Sequence, residues 1–301
     1  MIPVFYRSEQ SYNAAVDFSP SAGKPKLVLA DWMSRPEIAQ HLQIESFDPA
    51  SDEILFGAHD PLYVKGVLEG KIANGFGTTS SALAKSLRYT VGSVVAAATH
   101  VLTAPHGSGL RVAVSPTSGF HHAGYDFAGG FCTFNGLLAA AVHVHALGLA
   151  KRILILDMDQ HYGNGTDNII KKLGIDYVDH ITATRSYRTA AQALACCDLS
   201  ANECVRNERY DLVIYQAGAD IHMDDPLGGL LTTEQMIERD RLVFEGCARY
   251  GIPLVWNLAG GYKRDAEGTI APVLVLHRNT MIECIKSKMQ CEQPTKETYA
   301  V

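Results

Sequence analysis

Residues 157–166 read D-M-D-Q-H-Y-G-N-G-T, and the five residues before them, 152–156, read R-I-L-I-L. The second stretch is short, apolar and rich in β-branched side chains. That is the pattern of a strand buried on both faces of a parallel sheet. Gly163 and Gly165 turn the chain away from it, and helical spacing follows. Asp157, Asp159 and His161 therefore stand at the carboxyl end of a central strand, where open α/β sheets bind their ligands. Residues two apart on an extended backbone point the same way. A solvated polar loop is one reading of these three side chains. A metal site is the other, because carboxylate and imidazole suit Zn²⁺ or a similar ion. The apolar strand feeding the motif and the glycines tightening its exit favour the metal.

Further strands are expected at 2–6, 111–114, 177–183, 211–216 and 254–258, with helices at about 80–102 and 232–250. Thr232 is a fitting cap and Gly251 a fitting stop for the last of these. Residues 19–26 read as a Ser/Pro/Gly loop. Strands alternating with helices predict a single-domain α/β fold: a mainly parallel central sheet with helices on both faces. Four strand ends then deliver reactive side chains. Residues 115–123 bring His121 and His122. The central motif brings Asp157, Asp159 and His161. Residues 217–220 bring Asp220, which is equally at home as a turn or cap residue. Residues 260–262 bring Tyr262 behind two glycines. Phe131, after Gly129 and Gly130, is either core or the wall of a site. Together these match a hydrolytic metal site with three protein ligands and an open position.

The chain has 301 residues, 47% hydrophobic and 19% charged, with a net charge of −6. Mild acidity without a basic run speaks against nucleic acid as a partner. No apolar run is long enough for a membrane span, and no leader pattern opens the chain. Seven cysteines without repeated C-x-x-C pairs read as reduced thiols of a cytoplasmic protein. The catalytic domain is expected over 1–286, followed by a polar tail over 287–301. Oligomeric state is left open.

Taken as a set, His121-His122-Ala123, Gly130-Phe131-Cys132, Asp157-x-Asp159-x-His161-x-Gly163-Asn164-Gly165, Ala219-Asp220 and Gly260-Gly261-Tyr262 resemble the zinc-dependent histone deacetylase family. That family includes bacterial acetylpolyamine amidohydrolases. The details Asp225-Pro226-Leu227-Gly228-Gly229-Leu230 and Glu238-Arg239-Asp240 are similar to its class IV branch. The resemblance implies an arginase/deacetylase-like fold, with Zn²⁺ (or Fe²⁺) on Asp159, His161 and Asp220. It implies a monovalent cation, K⁺ or Na⁺, near Asp157, Asp159 and His161. It implies that His122 is the general base and His121 its electrostatic partner or proton donor. Asp157 and Asn164 would orient these rings, and Tyr262 would donate to the oxyanion. Gly130, Phe131 and Leu227 would line the substrate channel. The substrate would be an acylated lysine or an acylated small amine. The family's second aromatic wall finds no match in residues 184–191, where Tyr187 is the candidate substitute, and its acidic rim residue finds none in residues 71–80. His143, His145, His180 and His222 are assigned to structure. Competing readings are a long-chain acyl-lysine deacylase, a silent acyl-group binder and a ureohydrolase. The last needs an Asp-x-His-x-Asp order that this chain lacks.

Overall fold

A computed structural model describes residues 1–12, 19–105, 109–199 and 210–292, except for the side chains of 291 and 292. Among the described residues, seven strands form one sheet. They are β1 (Ile2–Phe5), β2 (Leu42–Glu45), β3 (Val112–Ser115), β4 (Ile153–Asp157), β5 (Val178–Ile181), β6 (Leu212–Gly218) and β7 (Leu254–Ala259). Their order is β2-β1-β3-β7-β6-β4-β5, and every pairing is parallel. Between them run α1 (Lys24–Met33), α2 (Pro36–Ala39), α3 (Asp52–Phe56), α4 (Pro61–Leu68), α5 (Ser81–Thr103), α6 (Gly136–Ala146), α7 (Asn164–Leu173) and α8 (Ala190–Cys197). They are followed by α9 (Thr233–Tyr250) and α10 (Ala271–Glu292).

Each central strand is buried along its whole length, as a sheet covered on both faces requires. The pleat sorts its residues into two cores. Leu154, Leu156, Val213, Tyr215, Leu254 and Trp256 pack with Trp32 of α1, Phe244 of α9 and Met281 of α10. Ile153, Ile155, Ile214 and Val255 pack on the other face with Val91 and Val94 of α5 and Leu138 of α6. Complete burial of one such aliphatic side chain contributes about 1.5–3 kcal/mol. Slipping a strand by one residue would exchange its two faces, so the packing holds the register, and with it the positions of the strand ends.

The helix ends follow the local chemistry. Ser80 caps α5 by accepting from the Leu83 amide. Thr232 and Gln235 form a capping box at the start of α9, and Gly251 ends that helix with φ 65°. Three elements depart from expectation. β2 is an edge strand whose Gln43 and Ile44 are exposed. α1 begins at Lys24, inside the stretch read as loop, with Pro25 in its first turn, a position that needs no amide donor. α10 continues past Ser287, into the stretch expected as a polar tail, as far as Glu292; residues 293–301 lie outside the described residues.

Candidate active site

β3, β7, β6 and β4 are consecutive in the sheet. The four loops singled out above leave from their carboxyl ends and converge on one cavity. Its wall includes His121, His122, Asp159, His161, Gly130 and Tyr262.

The acidic centre comes from β4 and β6. Donor atoms of Asp159, His161 and Asp220 all lie within 4.8 Å of one another. His161 Nδ1 is 3.0 Å from Asp159 Oδ1 and 3.1 Å from Asp220 Oδ2. Both carboxylates are buried, an arrangement that is unfavourable without a compensating cation. Burial and the neighbouring Asp159 push Asp220 up to about 7. Hydrogen bonds to Asp159 and Asp220 raise His161 to about 10. The backbone is shaped to admit this pair: a Cβ on Gly260 would lie 2.0 Å from Asp220 Cγ. Two buried carboxylates and a half-buried imidazole, with their donor atoms this close, suit Zn²⁺ or Fe²⁺ as three protein ligands.

The histidine pair is held from behind. His121 Nδ1–H donates to Asp157 Oδ2 at 2.7 Å, and His122 Nδ1–H donates to Asn164 Oδ1 at 2.6 Å. The ring centroids are 4.1 Å apart. Burial opposes a charge on His121, but Asp157 and Asp159 outweigh it and raise its pKa to about 9. Burial and the charge on His121 lower His122. Asn164 brings no charge to offset that. With its Nδ1 proton committed to Asn164, His122 presents an unprotonated Nε2. Two adjacent imidazoles are thereby driven to opposite protonation states, the usual signature of an acid–base pair.

Tyr262 sits at the end of β7 as a largely buried phenol. Burial, then Asp159 and Asp220, raise its pKa, so it remains an O–H donor. Its backbone amide donates to Asp225 Oδ2 at 2.7 Å. Phe131 has φ 63°, a left-handed conformation uncommon for a bulky residue and typical of constrained functional loops. The Cβ that Gly130 lacks would lie 2.3 Å from His122 Cδ2, so glycine lets the loop close over that ring.

Several placements differ from the sequence reading. The Phe131 ring lies 5.9 Å from Tyr262 and 5.9 Å from Phe76. Phe76, from the loop at 74–79, thus packs beside the Phe131 ring. Tyr187 is no wall. It is buried beneath the metal motif, and its hydroxyl donates to the carbonyls of Asp157 at 3.2 Å and Asp159 at 2.8 Å. Asp157, the first of the three residues expected to hold a monovalent cation, already has donors on its carboxylate. Asp157 Oδ1 accepts from Gln216 Nε2 at 2.7 Å and from the Asp159 amide at 3.2 Å. A K⁺ or Na⁺ ion on Asp157 Oδ1 would compete with these two donors. Leu227 is exposed, at 41%, and does not line the enclosed part of the cavity. His180 donates to Asp167 at 2.8 Å and approaches Asp157 to 3.6 Å, closer to the site than a purely structural assignment implies.

Three contributors had no role assigned from the sequence. Lys24 is fully buried, donates to the Gly260 carbonyl and lies 5.9 Å from the Tyr262 ring. Burial lowers its pKa to about 8. Gln216 links Asn257 to Asp157, and a glutamine inside an apolar strand was a legible sign of it. Arg239 is buried and donates to the Gly218 carbonyl at 2.7 Å, just ahead of Asp220.

A parallel α/β sheet with a buried carboxylate–imidazole centre, a polarised histidine pair and a captive tyrosine defines the class: a metal-dependent hydrolase. The histone deacetylase domain model matches residues 21–189 and 181–278, and the chain belongs to the histone deacetylase family, the hydrolases of acetyl amides. It is 28% identical to an uncharacterised protein of Picosynechococcus sp., over 84% of this chain and 88% of that one. It is also 28% identical to acetylpolyamine amidohydrolase 1 of Pseudomonas aeruginosa, over 49% of this chain and 50% of the relative, so it matches only half that protein's length. Among solved structures, acetylpolyamine aminohydrolase from Burkholderia pseudomallei has a TM-score of 0.71 at 17% identity, covering 94% of this chain and 98% of that one. The two share the arginase/deacetylase fold. Among the described residues, Cys132, Cys196, Cys197, Cys247 and Cys284 are free thiols, and no helix is long and apolar enough to cross a membrane. Cys204 and the Cys291 side chain lie outside the described residues.

Proposed function

We propose that this chain hydrolyses an N-acyl amide, chiefly an acetyl amide, of a lysine side chain or a small amine such as a polyamine. Asp159, His161 and Asp220 would hold the divalent ion, Zn²⁺ in the first instance. When bound, such an ion supplies Lewis acidity to the amide carbonyl and to the attacking water. His122 Nε2 takes a proton from that water as its oxygen bonds to the carbonyl carbon. His121, kept protonated by Asp157, offsets the developing charge and gives its proton to the amine nitrogen as the C–N bond breaks. Tyr262 donates its hydroxyl hydrogen to the carbonyl oxygen as that oxygen gains charge. Phe131, Phe76 and Gly130 flank the acyl-bearing chain, with Leu227 at the exposed rim.

The observation that carries this reading is the unlike orientation of two adjacent histidines, one on an aspartate and one on an asparagine, beside the three-ligand centre. The small amine as substrate is supported by the relative that bears an acetylpolyamine name, and lysine by the family itself. The test is acyl release by Zn²⁺-loaded protein from an acetyl-lysine peptide, a myristoyl-lysine peptide and acetylputrescine, with Tyr262→Phe as control. The expected result is Tyr262-dependent acetate release, tenfold or more faster from one acetyl substrate than from the myristoyl peptide. Release that is equal in the control removes Tyr262 from the reaction. No release from any of the three substrates sinks the proposed activity.

A further inference from the structure

We propose that Tyr187 is a built-in replacement for an alkali-metal ion, so that this protein's site works without K⁺ or Na⁺. The carbonyls of Asp157 and Asp159 belong to alternate residues and turn inward beneath the acidic centre. Two converging carbonyls in a buried setting need a donor or a cation. Here one phenolic O–H serves both, at 3.2 Å and 2.8 Å. The adjacent Asp157 carboxylate has no oxygen left without a donor. Oδ1 accepts from Gln216 Nε2 and the Asp159 amide, and Oδ2 from His121 Nδ1 at 2.7 Å and Thr182 Oγ1 at 3.5 Å. A cation there would have to displace these donors.

The loop that delivers Tyr187 is constructed for the purpose. It leaves β5 through Thr182, whose amide donates to Ser186 Oγ at 3.2 Å, while the Ser186 amide donates back to the Thr182 carbonyl at 2.9 Å. Thr184 takes φ 68°, a costly conformation for a β-branched residue. Arg185 is clamped to Asp167 at 2.7 Å. The ring that results is 2% exposed and packs in the apolar core beside Leu156 and Cys197. A phenol held this way keeps the carbonyls paired and carries no charge into the space behind Asp157 and His121.

The inference goes beyond the proposed reaction and is read first without any substrate. The unfolding temperature of the full chain is measured in KCl, NaCl and choline chloride at equal ionic strength. A site filled by the phenol gives the same temperature in all three. A specific ion in large excess over its Kd would raise it by roughly 5 °C over choline, and such a rise in K⁺ or Na⁺ overturns the proposal. Y187F keeps the ring and removes only the hydroxyl. It is expected to unfold at a lower temperature and, on whichever substrate the wild type cleaves, to lose kcat with KM little changed. Wild-type unfolding temperature and kcat in Y187F overturn the proposal equally. If Y187F does not fold, the salt comparison on the wild type still decides.

Discussion

Tyr262 shows what burial contributes at the scale of one residue. A phenol in water is a modest donor, but this one sits among carboxylates that hold it protonated, on a backbone fixed by Asp225. It is not in the three-ligand set, so its loss and the loss of metal are separable. Tyr262→Phe is expected to lower kcat by ~10²–10³ while zinc content stays at wild-type stoichiometry. Normal turnover would contradict the role. The histidines make a second prediction. His122 works as a base only when unprotonated, and its pKa is lowered, so activity rises with pH through a limb below the ordinary value of 6.5. His121 works as a proton donor only when charged, and its pKa is about 9, so activity falls as pH passes about 9. Asp157→Asn removes an anion that favours this charge, and the alkaline limb of kcat/KM should move to lower pH. A limb that stays in place would show that another group carries it.

At the scale of elements, the end of a strand and the start of a helix carry different kinds of demand. β7 must release its chain at Gly260 because the Asp220 carboxylate already fills the space of a side chain. Gly260→Ala should therefore fold and yet bind less than half an equivalent of zinc; full zinc content would mean that the strand end yields easily. Thr232→Ala removes one cap of α9, far from any chemistry in its effect. It should cost about 1 kcal/mol, ~2 °C in unfolding temperature, with unchanged kcat. The same contrast explains what could be read in advance. β4, β6 and β7 were legible because their burial on two faces demands continuous apolar runs. The loops after them were legible because His, Asp and Tyr, each ambiguous alone, recur together at the carboxyl ends of four buried strands. β2 was not, since an edge strand exposing Gln43 and Ile44 has no apolar run to show. Nor was α1, whose Gly23, Lys24 and Pro25 look like loop residues in any one-dimensional pattern. Lys24 reads as surface until the fold buries it. Phe76 meets Phe131 only because the loop at 74–79 is tied to the one at 129–133: Gly75 donates to Thr133 Oγ1 at 2.9 Å, and the Phe131 amide donates to the Gly75 carbonyl at 3.0 Å. Which loops meet is a property of topology, and sequence spacing does not contain it.

Three buried carboxylates, Asp157, Asp159 and Asp220, meet at one end of the sheet, and this couples folding, protons and metal across the whole molecule. Asp220 holds its proton up to about 7, because burial and Asp159 disfavour its charge. His161 holds its proton up to about 10, through Asp159 and Asp220. Their ordinary values are 3.8 and 6.5. Both are raised, so each group binds its proton better in the folded chain than in the unfolded one. The stability they lend the metal-free protein is present at low pH and declines as pH rises, first through the Asp220 range and then towards about 10. Zinc needs the same two groups deprotonated. Below pH 7 its binding displaces about two protons, and above pH 7 about one, so log affinity should climb with a slope near two and then near one. Titrating the chain with zinc against a competing chelator, from roughly pH 5.5 to 8.5, spans the break near the Asp220 value. The zinc-induced rise in unfolding temperature should grow across the same interval, since the ion replaces protons that the metal-free protein is losing. Affinity independent of pH would place zinc away from Asp220 and His161. A slope without a break would leave His161 as a ligand and remove the proton from Asp220.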